Sequence, residues 1–395
     1  MNPKILKSFY IVLIIIFSSS LVCAITKIVP SATITVGQFP SAVAYDSGKG
    51  EIFVSNLVAN VGDGTVSVIS DSNNSVVATI TVGNLPSGVA YDPAKGEVFV
   101  TNAGDNTVSV ISDSTNTVIA TIPVGTQPQA IVYDPAKGEI FVANSNYNNA
   151  IASTICTVSV ISDSTNSVIA TIDVGAGPLG MAYDSAKGEI FVSNEVSSSI
   201  SIISDSNNKV VATADGVACP EGMVYSPKKG EIFIANYCAA SVSILSDQNN
   251  MVTNNFLGVG GYAHAAAYDS GKGQVWIGSG VISDSNDAMI AVVQSAGAIA
   301  YDSSKGEIYM ANNGENTVYV ISDVFNITSI STSVAASSPK VTTPAASPQT
   351  DISSTPAYHS APGFPWWIVI VIIIILLLLI IRRRRKARRS KKNKS

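Results

Sequence analysis

One dipeptide recurs through the chain and limits its folds more than any other feature. Tyr45-Asp46 returns as Tyr91-Asp92, Tyr133-Asp134, Tyr183-Asp184, Tyr225-Ser226, Tyr268-Asp269 and Tyr301-Asp302, at intervals of 46, 42, 50, 42, 43 and 33 residues. A fixed period of about 40 residues marks a repeat architecture, in which one unit cannot bury its own faces and neighbours must stack. Each marker is followed by a Lys-Gly turn, as at Lys95-Gly96, and by Glu97-Val98-Phe99-Val100-Thr101-Asn102. Thr107 to Asp113, a polar turn at Ser114-Thr115-Asn116, and Thr117 to Val124 complete the unit, and Gly125 ends it.

These segments are short, rich in Val, Ile, Thr and Tyr, and bounded by Gly, Asp, Asn and Ser, which reads as four strands per unit. Helical spacing is absent from them. Four-stranded units of this period arranged radially bury one another's faces and leave only short edges. The fold class is therefore all-β: a seven-bladed β-propeller of four-stranded blades over residues 25–330. Blade six is the abbreviated one, with Trp276-Ile277-Gly278 at the end of its second strand and Val281-Ile282-Ser283-Asp284 as its third. Ala32 to Gly37 resembles a fourth strand without the first three, so ring closure would pair it with blade seven. Ile327 to Ile330 competes for the same edge.

The blade details resemble the YVTN-type β-propeller repeat family of surface-layer and other exported proteins. The likeness rests on Phe99-Val100-Thr101-Asn102, Val108-Ser109-Val110-Ile111 and Ile119-Ala120-Thr121-Ile122-Pro123-Val124-Gly125, repeated from about Ser31 to Ile330. It implies the fold and an exported, surface-layer-like context. It leaves function open, because propellers host many.

The two ends concern membranes. Residues 1–24 carry Lys4 and Lys7, an apolar run from Phe9 to Phe17 and small residues before Ile25, the pattern of a signal peptide. An uncleaved signal anchor is the alternative. Residues 331–363 turn to Ser, Thr, Pro and Ala, too poor in apolar residues for a core, and read as a stalk. Phe364 to Ile381 is uncharged for 18 residues and nearly spans a bilayer as a transmembrane helix, with Trp366 and Trp367 at its outer edge. Residues 382–395 hold six Arg and four Lys and would stay cytoplasmic. That basic tail reads as a topology determinant, or alternatively as a contact for anionic lipid or a cytoplasmic partner. The ends place the propeller outside the cell on a single-pass, type I membrane protein.

The whole-chain charge of −5 then hides two opposite objects. The exterior keeps eleven lysines, no arginine and all 28 acidic residues, a formal charge of −17. Such a surface disfavours nucleic acid and other polyanions. It suits a divalent cation, a basic partner, or an acidic or saline medium.

In a propeller of this kind the turns after strands one and three share a face, and those turns are uniform here. The loops after strands two and four lie on the opposite face and vary, with insertions at Leu57 to Gly64 and Ser145 to Cys156. Variable loops on one face read as a binding surface. The position four before each marker Tyr should ring the channel mouth there. It holds Ser41, Ser87, Gln129, Leu179, Glu221, His264 and Gly297, of which Gln129, Glu221 and His264 are the strongly polar candidates for a ligand site. Loop residues facing water are the plainer reading of the same three.

No metal site is expected. Asp71, Asp113, Asp163, Asp205, Asp247, Asp284 and Asp323 offer one carboxylate per turn, short of calcium's six to eight converging oxygens, and read as Asx-stabilised turns. Asn56, Asn102, Asn144, Asn194, Asn236 and Asn312 read as satisfying backbone groups at strand ends. Cys219 and Cys238 fall on the variable face, where a disulfide suits an exported protein, leaving Cys156 over. Sequons for N-glycosylation stand at Asn73 and Asn326. No cofactor and no catalytic constellation is expected. The leading reading is a cell-surface module that binds or adheres to an extracellular protein or glycan. A structural envelope component is the alternative, and an exported propeller enzyme is the weakest of the three.

Overall fold

The computed structural model describes residues 26–57, 62–146, 156–257, 266–293 and 297–322. They form seven sheets arranged as a propeller. Blade two is typical, with strands Pro86–Asp92, Glu97–Asn102, Thr107–Ser112 and Thr117–Pro123 running antiparallel from the axis outward. The first strands pack on one another in an unbroken ring, blade one against two through blade seven back against one. No helix occurs among the described residues. None there is long and apolar enough to cross a membrane, and the signal, stalk, apolar run and basic tail all lie outside them. The chain divides into units Met1–Ile327 and Thr328–Ser395, and every described residue belongs to the first.

The core lies between the blades. Phe99, Val108, Val110 and Ile122 of blade two pack on Ile140, Val142 and Ile161 of blade three, and six equivalent clusters fill the other junctions. Second and third strands are buried on both faces, which is why they read as near-continuous apolar runs. The fourth strands form the rim. Each described one that pairs with its own third strand carries a register shift, at Val118/Ala120 in blade two, and this leaves Val77, Ile119, Ile169 and Val211 half-exposed. A bulge twists an edge away from strand addition, so the rim is blunted where it would otherwise recruit strands.

Ring closure is resolved. Ala32–Thr35 pairs antiparallel with Thr317–Ser322, Ile34 opposite Val318, and supplies blade seven's fourth strand. Glu307–Asn312 takes the other side of Thr317–Ser322, so no edge of that strand is left for a competitor. Ile327 to Ile330 lie outside the described residues. Blade six is short but complete, with four strands between Ala266 and Val292. It gains a fifth: Thr26–Lys27 pairs parallel with Ala291 and Val292.

Two sequence-level readings need correction. The strand-end asparagines bond mainly to side chains: Asn102 Nδ2 donates to Thr107 Oγ1 at 3.0 Å and Ser109 Oγ at 2.9 Å, and Asn144, Asn194 and Asn236 repeat this. The preceding glycine lies flat on that amide. A Cβ at Gly83 would sit 2.7 Å from Asn102 Cγ, and Gly37, Gly125 and Gly175 lie as close to Asn56, Asn144 and Asn194, which explains the Val-Gly ending of these four segments. Secondly, the Asx turn is made by the marker Asp. Asp92 Oδ1 accepts from Ala94 N at 2.8 Å and Lys95 N at 3.3 Å, while the Asp113 series points into the blade junctions. Local sequence could not separate these roles, because Asp46 and Lys49, which Asp113 meets, belong to another blade.

Candidate functional site

The first strands start on the variable face, and their opening residues line a central cavity of about 510 Å³. Ser41, Ser87, Gln129, Leu179, Glu221 and Gly297 all reach it, so every described member of the expected ring does. His264 lies outside the described residues.

Much of this wall is engaged in holding blades together. Ser41 Oγ donates to Pro86 O at 2.8 Å, and Ser87 Oγ to Pro128 O at 3.1 Å, each bond crossing to the next blade. Behind them, Thr101 Oγ1 accepts from Gly88 N and donates to Gln129 O at 2.8 Å. Ser193 Oγ does the same between Gly180 N and Glu221 O, at 2.7 Å each. The hydroxyls are therefore part of the frame. Gln129 is partly exposed to the cavity, and Glu221 is 4% exposed. Glu221 is the one ionisable side chain among the described lining residues.

The cavity's rim carries the feature that sequence reasoning missed. Each of the first five blades enters its first strand through a proline, and the residue before that proline is left-handed: Phe39 (φ 49°), Leu85 (52°), Gln127 (53°), Gly177 (66°) and Cys219 (48°). A left-handed residue other than glycine costs about 1 kcal/mol or more, and a following proline normally demands extended backbone. The conformation is held from both sides. Leu57, Ala103, Ser145, Glu195 and Tyr237 donate their N–H groups to these five carbonyls at 2.9–3.1 Å. From the neighbouring blade, Asn316 Oδ1 accepts from Phe39 N at 2.9 Å, and Asn106 Oδ1 from Gln127 N at 2.7 Å. Glycine would fit every one of these positions without strain, yet it is used once in five. The other four carry four different side chains at one repeated backbone position, and Phe39 and Leu85 are exposed on adjacent blades. A recurring Pro five residues before the marker Tyr was the signal for this rim, although proline alone would have argued for extended backbone.

Cys219 and Cys238 form a disulfide with a Cα–Cα distance of 5.4 Å. It ties the rim of blade five to the end of that blade's second strand, beside the exposed Tyr237. Cys156 is buried, and its Sγ donates to Ser145 O at 3.1 Å. Asn73 is exposed on the opposite face, accepting from Ser75 N and Oγ, and Asn326 lies outside the described residues. No cluster of three or more His, Cys, Asp or Glu among the described residues is arranged to hold a metal ion.

No protein-family model matches the chain, and no curated protein matches it. Among solved structures it is similar to the Kuenenia stuttgartiensis hydrazine synthase, with a TM-score of 0.59 and 17% identity, over 72% of this chain and 95% of that one. A likeness at that identity shows the fold alone. The class it defines, together with the blade count, is the seven-bladed β-propeller.

Proposed function

We propose that the chain presents its propeller outside the cell as a membrane-anchored binding module, and that the variable face with its left-handed rim is the recognition surface. The rim carries this reading. Backbone strain retained at equivalent positions, for different side chains, is the mark of display rather than of scaffold. The ligand class is an extracellular protein or glycan, which exposed Phe39, Leu85 and Tyr237 would meet with apolar and aromatic surface. The anchor rests on the signal-like start and the apolar run Phe364 to Ile381. The YVTN-like repeats accord with an exported protein. We read the module as non-catalytic, because the described wall offers a single ionisable group.

The test is a glycan array and a cell-surface protein capture with the full chain, alongside the Phe39→Ser/Leu85→Ser double variant. Capture of one ligand class that falls at least tenfold in the variant supports the reading. Undiminished capture by a folded variant would place recognition elsewhere.

A further inference from the structure

The face opposite the rim holds most of the molecule's acidic charge, gathered at the blade junctions. Between blades one and two, Asp46, Glu51 and Asp113 meet one ammonium, Lys49, and one phenol, Tyr91. Between three and four the set is Asp134, Glu139 and Asp205 with Lys137 and Tyr183. Between four and five it is Asp184, Glu189 and Asp247 with Lys187 and Tyr225. Junctions two–three and seven–one repeat the pattern with Asp92 and Asp163, and Asp302 and Asp71.

Donors are too few at these places. Asp46 is fully buried, and its Oδ1 takes the N–H groups of Gly48 and Lys49 at 2.7 and 3.1 Å. Tyr91 has one hydroxyl hydrogen for the two carboxyls it lies between, Asp46 and Asp113, and Asp113 Oδ2 stands at 3.4 Å. Lys49 donates to the backbone carbonyl of Asp113 and pairs with Glu51 at 3.3 Å. Asp46 Oδ2 is left buried with no donor, and so are Asp92, Asp134, Asp184 and Asp302 Oδ2, each in a fully buried residue. At junctions one–two, three–four and four–five the group turned toward the marker Asp is the next blade's carboxyl, with which it shares a side-chain contact. Two carboxylates have only acceptors, and a buried orphan acceptor costs about 1–3 kcal/mol. A single proton between them removes both the missing donor and the repulsion.

One junction shows the alternative. Between blades five and six, Ser226 replaces the marker Asp and a second lysine is present. There Lys228 pairs with Asp284 at 3.1 Å, Tyr268 donates to Asp284 Oδ2 at 2.7 Å, and Lys229 pairs with Asp287 at 2.6 Å. With no marker Asp opposite Asp284, ordinary charge pairing suffices there.

We propose that the junctions one–two, three–four and four–five each bind one proton, shared between the marker Asp and the next blade's Asp, so that the propeller is assembled for an acidic medium. Burial first, and the opposing carboxylate next, raise Asp113, Asp205 and Asp247 above the usual carboxyl range, against the lowering pull of Lys49, Lys137 and Lys187. Burial likewise raises Glu97, Glu139, Glu189 and Glu231. A carboxyl held more tightly in the folded chain makes that chain bind more protons than the unfolded one above about pH 4. Stability is therefore fully present below that pH and is lost as pH rises through the folded values.

The experiment uses the full chain. Urea midpoints are measured from about pH 5 to about pH 7.5, a window above the unfolded carboxyl value. The infrared carbonyl band of protonated carboxyl groups is recorded on the folded chain over the same range. The midpoint should fall as pH rises, and the folded chain should keep a protonated-carboxyl band at pH 6. In the Asp113→Asn/Asp205→Asn/Asp247→Asn variant an amide donor replaces the proton at three junctions, so that band should shrink and the pH slope should flatten. A midpoint that climbs with pH, or a folded chain with no protonated-carboxyl band, overturns the proposal. The unaltered chain alone decides it if the variant does not fold.

Discussion

The closing strand is held by few residues, and the cost of weakening it follows from its packing. Ile34 is 6% exposed and packs among Ile52, Val54, Ile69, Tyr309, Val318 and Val320, residues of blades one and seven. Ile34→Ala removes three carbons from that junction. At ~0.8 kcal/mol per buried carbon the transfer loss is ~2.4 kcal/mol. The cavity left behind brings the total to ~3–4 kcal/mol, inside the usual span for such truncations. Val29, by contrast, is 71% exposed three residues before the strand, and Val29→Ala should cost under ~0.5 kcal/mol. The assay is urea unfolding of both variants followed by intrinsic fluorescence, since Trp276 lies in the core of neighbouring blade six. With a slope of ~3 kcal/mol per M, Ile34→Ala should lower the midpoint by ~1 M. Equal midpoints for the two variants would refute closure by Ala32–Thr35, because an unpaired segment would not distinguish a buried residue from an exposed one.

Asn102→Ala removes the amide that donates to Thr107 and Ser109, and should cost ~1–3 kcal/mol in thermal or urea unfolding. Asn102→Asp should cost as much, since a carboxylate cannot donate; a harmless Asp variant would remove the donor argument. The Cys219–Cys238 bridge closes a loop with a sequence separation of 19, so its loss in a Cys219→Ser/Cys238→Ser variant should cost ~3 kcal/mol. A melting temperature that reducing agent leaves in place would count against that bridge.

The blades themselves were legible because their signals are local. Tyr-Asp, Lys-Gly and the β-branched runs each lie within one unit and repeat in register. The channel lining was legible for the same reason, since counting back from the marker Tyr reaches the same wall position in all six blades where that position is described. What stayed hidden depends on distant partners. Thr26–Lys27 adds to blade six through two residues that carry no pattern of their own. Asp113 reads as a turn residue beside Ser112, yet its carboxyl meets Asp46 from the preceding blade. The left-handed rim was hidden differently. Each proline argued for extended backbone, and only the opposing hydrogen bonds from Leu57, Ala103 and their equivalents hold the other conformation.

The closing strand also decides how the propeller bears load. Tension applied to the chain beyond Ser322 enters through Thr317–Ser322, which is clamped between Ala32–Thr35 on one side and Glu307–Asn312 on the other. A pull along that strand must shear two ladders at once. The closing segment is not in series with the force, so tugging from the carboxyl side does not peel it away. A pull from the amino side would meet the two-residue pairing of Thr26–Lys27 on blade six and then Ala32–Thr35, with one ladder to resist it at each step. The ring is thus strong toward one terminus and weak toward the other, and the strong side is the one that leads to the apolar run.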